Sequence, residues 1–77
     1  MWIAINKSDE SLKSTYEITS YNEAFNKTTG LYELWVERKT GKNILIKTSK
    51  DRIDILELKQ ALDYAIAQDE PIFEIEQ

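Results

Sequence analysis

The chain has no cysteine, no histidine, two glycines and one proline, and each scarcity removes a class of explanation. Without Cys no disulfide can staple the fold, and without Cys or His an ordinary zinc site has no ligands. The usual nucleophile–base pairs, Ser–His and Cys–His, cannot be assembled either. Gly30 and Gly41 stand far apart, so no glycine-rich loop can converge its backbone N–H groups on a phosphate. No apolar run approaches the roughly 20 residues needed to cross a bilayer. The opening Met1-Trp2-Ile3-Ala4-Ile5-Asn6 carries no basic leader of the secretory kind. The expectation is a cytoplasmic, non-enzymatic protein with no cofactor, no catalytic residues and no membrane contact.

What is present describes one thin domain covering residues 1–77. A chain of this length buries roughly 60% of the surface its unfolded form exposes, so apolar packing alone must hold it, helped by association with a partner or a second copy. Lys outnumbers Arg by eight to two and Ile is abundant, a composition common in proteins of AT-rich bacterial or phage genomes. The net charge is −4. It is unevenly spread: residues 1–59 hold nine acids and ten bases, whereas residues 60–77 hold Asp63, Asp69, Glu70, Glu74 and Glu76 with no base. An acidic end of this kind disfavours contact with nucleic-acid phosphates. It could itself imitate a phosphate backbone, although a solvated face is the simpler account.

Periodicity lays out the elements. Trp2 to Asn6 reads as a short strand with Ile3 and Ile5 on one face, and Ser8 to Ser11 breaks it. Thr15 to Thr19 alternates again. Ser20-Tyr21-Asn22-Glu23 has the Ser-x-x-Glu form of a capping box and predicts a brief helical turn through Phe25, ended by Asn26 to Gly30. Leu31 to Arg38 and Asn43 to Thr48 are β-rich runs around a turn at Lys39 to Lys42. A two-residue Thr40-Gly41 turn would place Trp35 opposite Ile46 and Leu34 opposite Lys47; the favoured three-residue turn, with Gly41 in the left-handed position, pairs Val36 with Ile44, Leu34 with Ile46 and Tyr32 with Thr48 on one face. The other face then pairs Trp35 with Leu45, Glu33 with Lys47 and Glu37 with Asn43.

Asp54 to Glu57 reads as a second capping box, with Ile53 and Leu58 as its hydrophobic staple. Leu58, Ala61, Leu62, Ala65 and Ile66 form one apolar stripe, and Pro71 stops the helix. Ile72 to Glu76 alternates as a last strand, expected at a sheet edge where its glutamates discourage aggregation. The predicted fold class is α+β: a small, mostly antiparallel sheet in the order β-β-β-β-α-β, with one amphipathic helix packed on one face.

Three features bear on function. Asp51, Asp54 and Glu57, three apart, could in principle turn carboxylates towards a hard cation, but acids at a helix start are explained by capping and the macrodipole. No metal is therefore expected. Arg38, Lys39 and Lys42 cluster at the hairpin tip. A three-stranded sheet followed by a helix, with the turn Glu37-Arg38-Lys39-Thr40-Gly41-Lys42, resembles over about half the chain the small DNA-binding domains at the N-termini of phage-type integrases. That resemblance implies nucleic-acid binding through the tip. Those domains present a basic sheet, whereas here Glu33 and Glu37 flank Trp35.

The third feature is the sheet face away from the helix, which receives Trp35 and Leu45 and, from the first strand, Trp2. Either the 7–30 segment folds over it, with Tyr21 and Phe25 as the cover, or it is an apolar patch for a partner. The leading expectation is a protein-interaction domain, an accessory or inhibitor protein whose anchors are Trp35, Leu45 and Trp2 and whose rim is Glu33 and Lys47.

Overall fold

The computed structural model describes residues 1–6 and 13–76. Five strands and one helix follow in the order β1 (Trp2–Asn6), β2 (Lys13–Asn26), β3 (Leu31–Arg38), β4 (Ile44–Ser49), α1 (Arg52–Ala67) and β5 (Ile72–Glu76). They form a five-stranded sheet ordered β4-β3-β2-β1-β5. The β1–β2, β2–β3 and β3–β4 pairs are antiparallel and β5 lies parallel to β1 at the edge. The predicted α+β class holds, as does the edge position of the last strand. The expected break at Ser8 to Ser11 lies outside the described residues.

Strand order explains why the helix covers one face. β4 and β5 sit at opposite edges, so the connection between them must traverse the whole sheet, and α1 is that connection. Its 16 residues span about 24 Å at 1.5 Å per residue. Five strands spaced about 4.8 Å apart are roughly 19 Å wide. The helix is thus long enough to cross the sheet once. Ile55 and Leu62 on α1 pack with Ile3, Ile5, Ile18, Leu34, Val36, Ile46 and Ile75 in one core.

β2 is a single strand of 14 residues, not the strand and helical turn that Ser20 to Glu23 suggested. A bulge lies between Ile18 and Ser20, and it resolves the mismatch. Before it, Tyr16 and Ile18 face the helix; after it, Tyr21 and Phe25 do, Tyr21 against the core and Phe25 with its ring tilted against that of Tyr32, centroids 4.9 Å apart. One inserted residue changes the inward parity from even to odd. A strict two-residue period is therefore lost in the sequence although the strand continues. Consequently Tyr21 and Phe25 lie on the helix side and cover nothing on the reverse face.

Asn26 makes the β2–β3 turn. Its Oδ1 accepts from the Thr28 N–H at 2.9 Å and the Thr29 N–H at 3.3 Å, while Gly30, at φ 73°, donates to the Asn26 carbonyl at 2.8 Å. At the next hairpin Gly41 has φ 94°, the left-handed position predicted for it. Val36 faces Ile44 and Trp35 faces Leu45 as expected. Beyond them a second bulge shifts β4, so that Leu34 opposes Lys47, Glu33 opposes Thr48 and Tyr32 opposes Ser49. The expected Leu34–Ile46 and Glu33–Lys47 pairings are not formed. The extra residue, Ile46, goes into the core.

The helix begins three residues earlier than Asp54 implied. Asp51 is its N-cap and accepts from the Ile53 N–H at 3.0 Å. Asp54 sits in the first turn, where its Oδ2 accepts from Ser49 Oγ at 2.5 Å. The buried face is narrower than the expected stripe and extends one turn earlier: Ile55, Leu62 and Ala65 are buried and Leu58 is partly so, while Ile53, Ala61 and Ile66 are exposed. At the other end, Asp69 at φ 57° donates its N–H to Ile66 and Glu70 donates to Ala65, both at 3.0 Å. This is a Schellman stop with Asp in the place that usually holds Gly. Glu23, on the helix side of β2, binds the helix start: Arg52 Nη2 lies 2.8 Å from its Oε1 and Lys59 Nζ 3.6 Å.

Candidate interaction surface

The face away from α1 is built by the residues that alternate with the core. On β3, Leu34 and Val36 point to the helix, so Glu33, Trp35 and Glu37 point away. Trp35 lies opposite Leu45 on β4 and Asn22 on β2. Trp35 and Leu45 are each half-buried, whereas Asn22, Ala24 and Thr48 around them are exposed. The indole is oriented by its own strand: Nε1 donates to Glu33 Oε1 at 3.0 Å, and Glu33 Oε2 accepts from Asn26 Nδ2 at 3.3 Å. An aromatic body partly open to water, with its polar edge already satisfied, suits a contact surface better than a core.

Three of the five expected surface residues gather there: Trp35 and Leu45 are cross-strand neighbours and Glu33 holds the indole. Lys47, expected at the rim, does not join them, because the β4 bulge sets it opposite the inward-facing Leu34 and brings Thr48 opposite Glu33 instead. Trp2 does not join them. It is opposite Glu17, five residues along β2 from Asn22, a separation of about 17 Å at strand rise. Trp2 is 44% exposed and belongs to a different part of the surface.

The basic hairpin tip is partly engaged within the fold. The Arg38 guanidinium carbon lies 4.9 Å from the Tyr16 ring centroid, and Lys39 Nζ is 3.8 Å from Glu17 Oε1. Lys42 is exposed. A shallow cleft of about 310 Å³ opens between this tip and β2, lined by Trp2, Thr15, Tyr16, Glu17, Arg38, Lys39 and Thr40. Sequence reasoning missed it because its walls come from β1, β2 and the distant β3–β4 turn. The one legible signal was the basic tip itself. The C-terminal acids are dispersed: Asp63 on α1, Asp69 and Glu70 at the helix stop, and Glu74 and Glu76 on β5.

Among the described residues the closest ion pair, Glu23 with Arg52, serves the fold. Hydrogen bonds from Arg52 hold the Glu23 carboxyl below the ordinary glutamate value, against the opposing pull of partial desolvation. Asp51 and Asp54, considered above for a cation, spend their oxygens on the helix start and on Ser49. Among the described residues no cluster of His, Cys, Asp or Glu has the geometry to hold a metal ion, and no helix is long and apolar enough to cross a membrane. Compared with known families, curated proteins and solved structures, the chain matches none.

Proposed function

We propose that this chain is a non-enzymatic protein-interaction domain that engages a partner through the sheet face opposite α1, with Trp35 and Leu45 as apolar anchors and Glu33 at the rim. The observation that carries the reading is the Trp35–Leu45 pair. Two large apolar side chains sit face to face across neighbouring strands on the side the helix does not reach. Glu33 fixes the indole through Nε1, so little rotamer freedom is left to lose on binding. Aromatic anchors ringed by polar neighbours are the usual centres of binding energy in interfaces.

A photo-crosslinking amino acid at position 45, compared with one at the exposed helix position 57, tests this in cells that make the protein naturally. A discrete adduct from position 45 that disappears with Trp35→Ala is the expected result, with none from position 57. Adducts from both positions alike, or from neither, would remove the assignment.

A further inference from the structure

A second surface can be assigned from backbone geometry, independently of the Trp35–Leu45 pair. Ile18 donates its N–H to the Met1 carbonyl at 2.9 Å, so Ile18 and, by strand alternation, Tyr16 and Ser14 direct their backbone groups towards β1. Glu17 and Thr15 must then direct theirs to the opposite side of β2. Glu17 confirms the phase, because its carbonyl accepts from the Lys39 N–H at 2.9 Å on that side. The pairing of β3 with β2 stops at Arg38 opposite Ile18. Among the described residues no strand pairs with the Thr15 side of β2, and Thr15 is exposed and lines the 310 Å³ cleft.

The cleft therefore has the parts of a strand-binding slot. Its floor is the edge at Thr15, next to the Glu17 carbonyl that Lys39 already occupies; Trp2 and Tyr16 stand on its flanks, and the β3–β4 turn lies at one end. A peptide adding to this edge would lie in line with β3 and be forced to end at the turn. What it meets there decides its chemistry. Arg38 and Lys39 line the cleft at this end and Lys42 follows in the same turn, with Glu17 3.8 Å from Lys39 Nζ offsetting part of the charge. A strand running antiparallel to β2 would bring a terminal ammonium against these cations. One running parallel to β2 would bring a carboxylate, which cations and open N–H groups favour. We propose that this slot binds the extended C-terminal segment of a partner protein by strand addition to β2, with the free carboxylate held at the Arg38–Lys39–Lys42 turn.

The test is a titration of the isotope-labelled protein with the strand-forming peptide acetyl-Val-Thr-Val-Thr-Val as free acid and as C-terminal amide, followed by amide and indole NMR signals. Main-chain pairing makes a generic strand former a valid probe at millimolar concentration. The free acid is expected to shift the Thr15 and Glu17 amides and the Trp2 indole, saturably, with Trp35 unmoved. The amide is expected to bind about tenfold more weakly for want of its charge. Thr15→Pro removes the outward N–H while leaving the β1–β2 hydrogen bonds intact, as proline is tolerated where a strand's N–H faces an open edge. It should abolish binding, and Lys39→Glu should weaken it, both with an unchanged circular dichroism spectrum. Should Thr15→Pro not fold, Lys39→Glu alone carries the comparison. Unperturbed Thr15 and Glu17 signals, or equal affinity for acid and amide, would overturn the assignment. So would shifts of these residues produced by an oligothymidylate and not by the peptide.

Discussion

Glu33 and Trp35 are two residues apart on β3, share the face opposite the helix, and are joined by a hydrogen bond from the indole Nε1 to Oε1 at 3.0 Å. Leu34 between them points the other way and is fully buried. Adjacent residues on one strand therefore answer to different demands, one to the core and the others to the surface. Leu34→Ala should cost about 3 kcal/mol, in the range for emptying a core site, which is a large part of the stability of a small domain. Trp35→Ala, removing a side chain that is only half-buried, should cost about 1 to 2 kcal/mol. Urea unfolding of the two variants makes the comparison. If Trp35→Ala is the more damaging, the indole belongs to the core and the reverse face is no contact surface.

Loss of the Glu33 carboxylate should free the indole without unfolding the protein. Glu33→Ala is expected to shift Trp35 fluorescence to longer wavelength and lower its anisotropy, with a stability change of about 1 kcal/mol or less. A spectrum unchanged in a Trp2→Phe background would show that the bond does not position the ring.

Asp69 closes the helix at a positive φ of 57°, a conformation that costs a residue with a Cβ roughly 1 kcal/mol relative to glycine. Its negative charge also faces the negative end of the helix dipole. Asp69→Gly relieves both and should raise the unfolding free energy by about 1 kcal/mol. Thermal or urea midpoints read it directly, and a fall in either would contradict the Schellman assignment.

At Gly41 the opposite substitution should do harm. An added Cβ would lie 2.9 Å from Arg38 Cζ, and the backbone has φ 94°. Gly41→Ala is expected to destabilise by about 1 to 2 kcal/mol and to move the guanidinium off Tyr16, seen as a change in the Tyr16 ring proton shifts.

Glu23 makes stability acid-sensitive. Its carboxyl titrates lower in the folded protein than in the unfolded chain because Arg52 hydrogen-bonds the charged form. The unfolded chain then binds the extra proton first, so this contribution is fully present above the ordinary glutamate value and is lost as pH falls through the lower folded value. Wild type should be more stable than Glu23→Gln at neutral pH, with the gap narrowing below the ordinary carboxylate range. A gap that stays constant from neutral to strongly acid pH would mean the ion pair is not formed in solution.

Several elements were legible in the sequence for local reasons. Alternating Ile3 and Ile5, the β-rich run Leu31 to Arg38, and Ile72 to Glu76 after Pro71 each carry their own period, and the strands fall there. Gly41 announced its left-handed turn, and near it the pairing of Trp35 with Leu45 followed. The helix was legible as an apolar stripe. Its start was not, because Asp51 and Asp54 both satisfy the cap chemistry and only the path of the chain from Ser49 chooses between them.

What the sequence by itself determined is local: which stretches extend, which coils, where glycine must bend the chain, and which side chains are too apolar to leave in water. Tertiary structure decided the two bulges. An extra residue in β2 puts both Ile18 and Tyr21 on the helix side, and one in β4 turns Ser49 towards the helix start, where its Oγ donates to Asp54, at the cost of a regular period. It also set β4 and β5 at opposite edges, which sends the one helix across one face and leaves Trp35 on the other. The slot beside Thr15 arises the same way, where a neighbouring strand stops short. Each is a matter of which strand lies next to which, and pairing between residues distant along the chain is settled only when the whole sheet closes on its core.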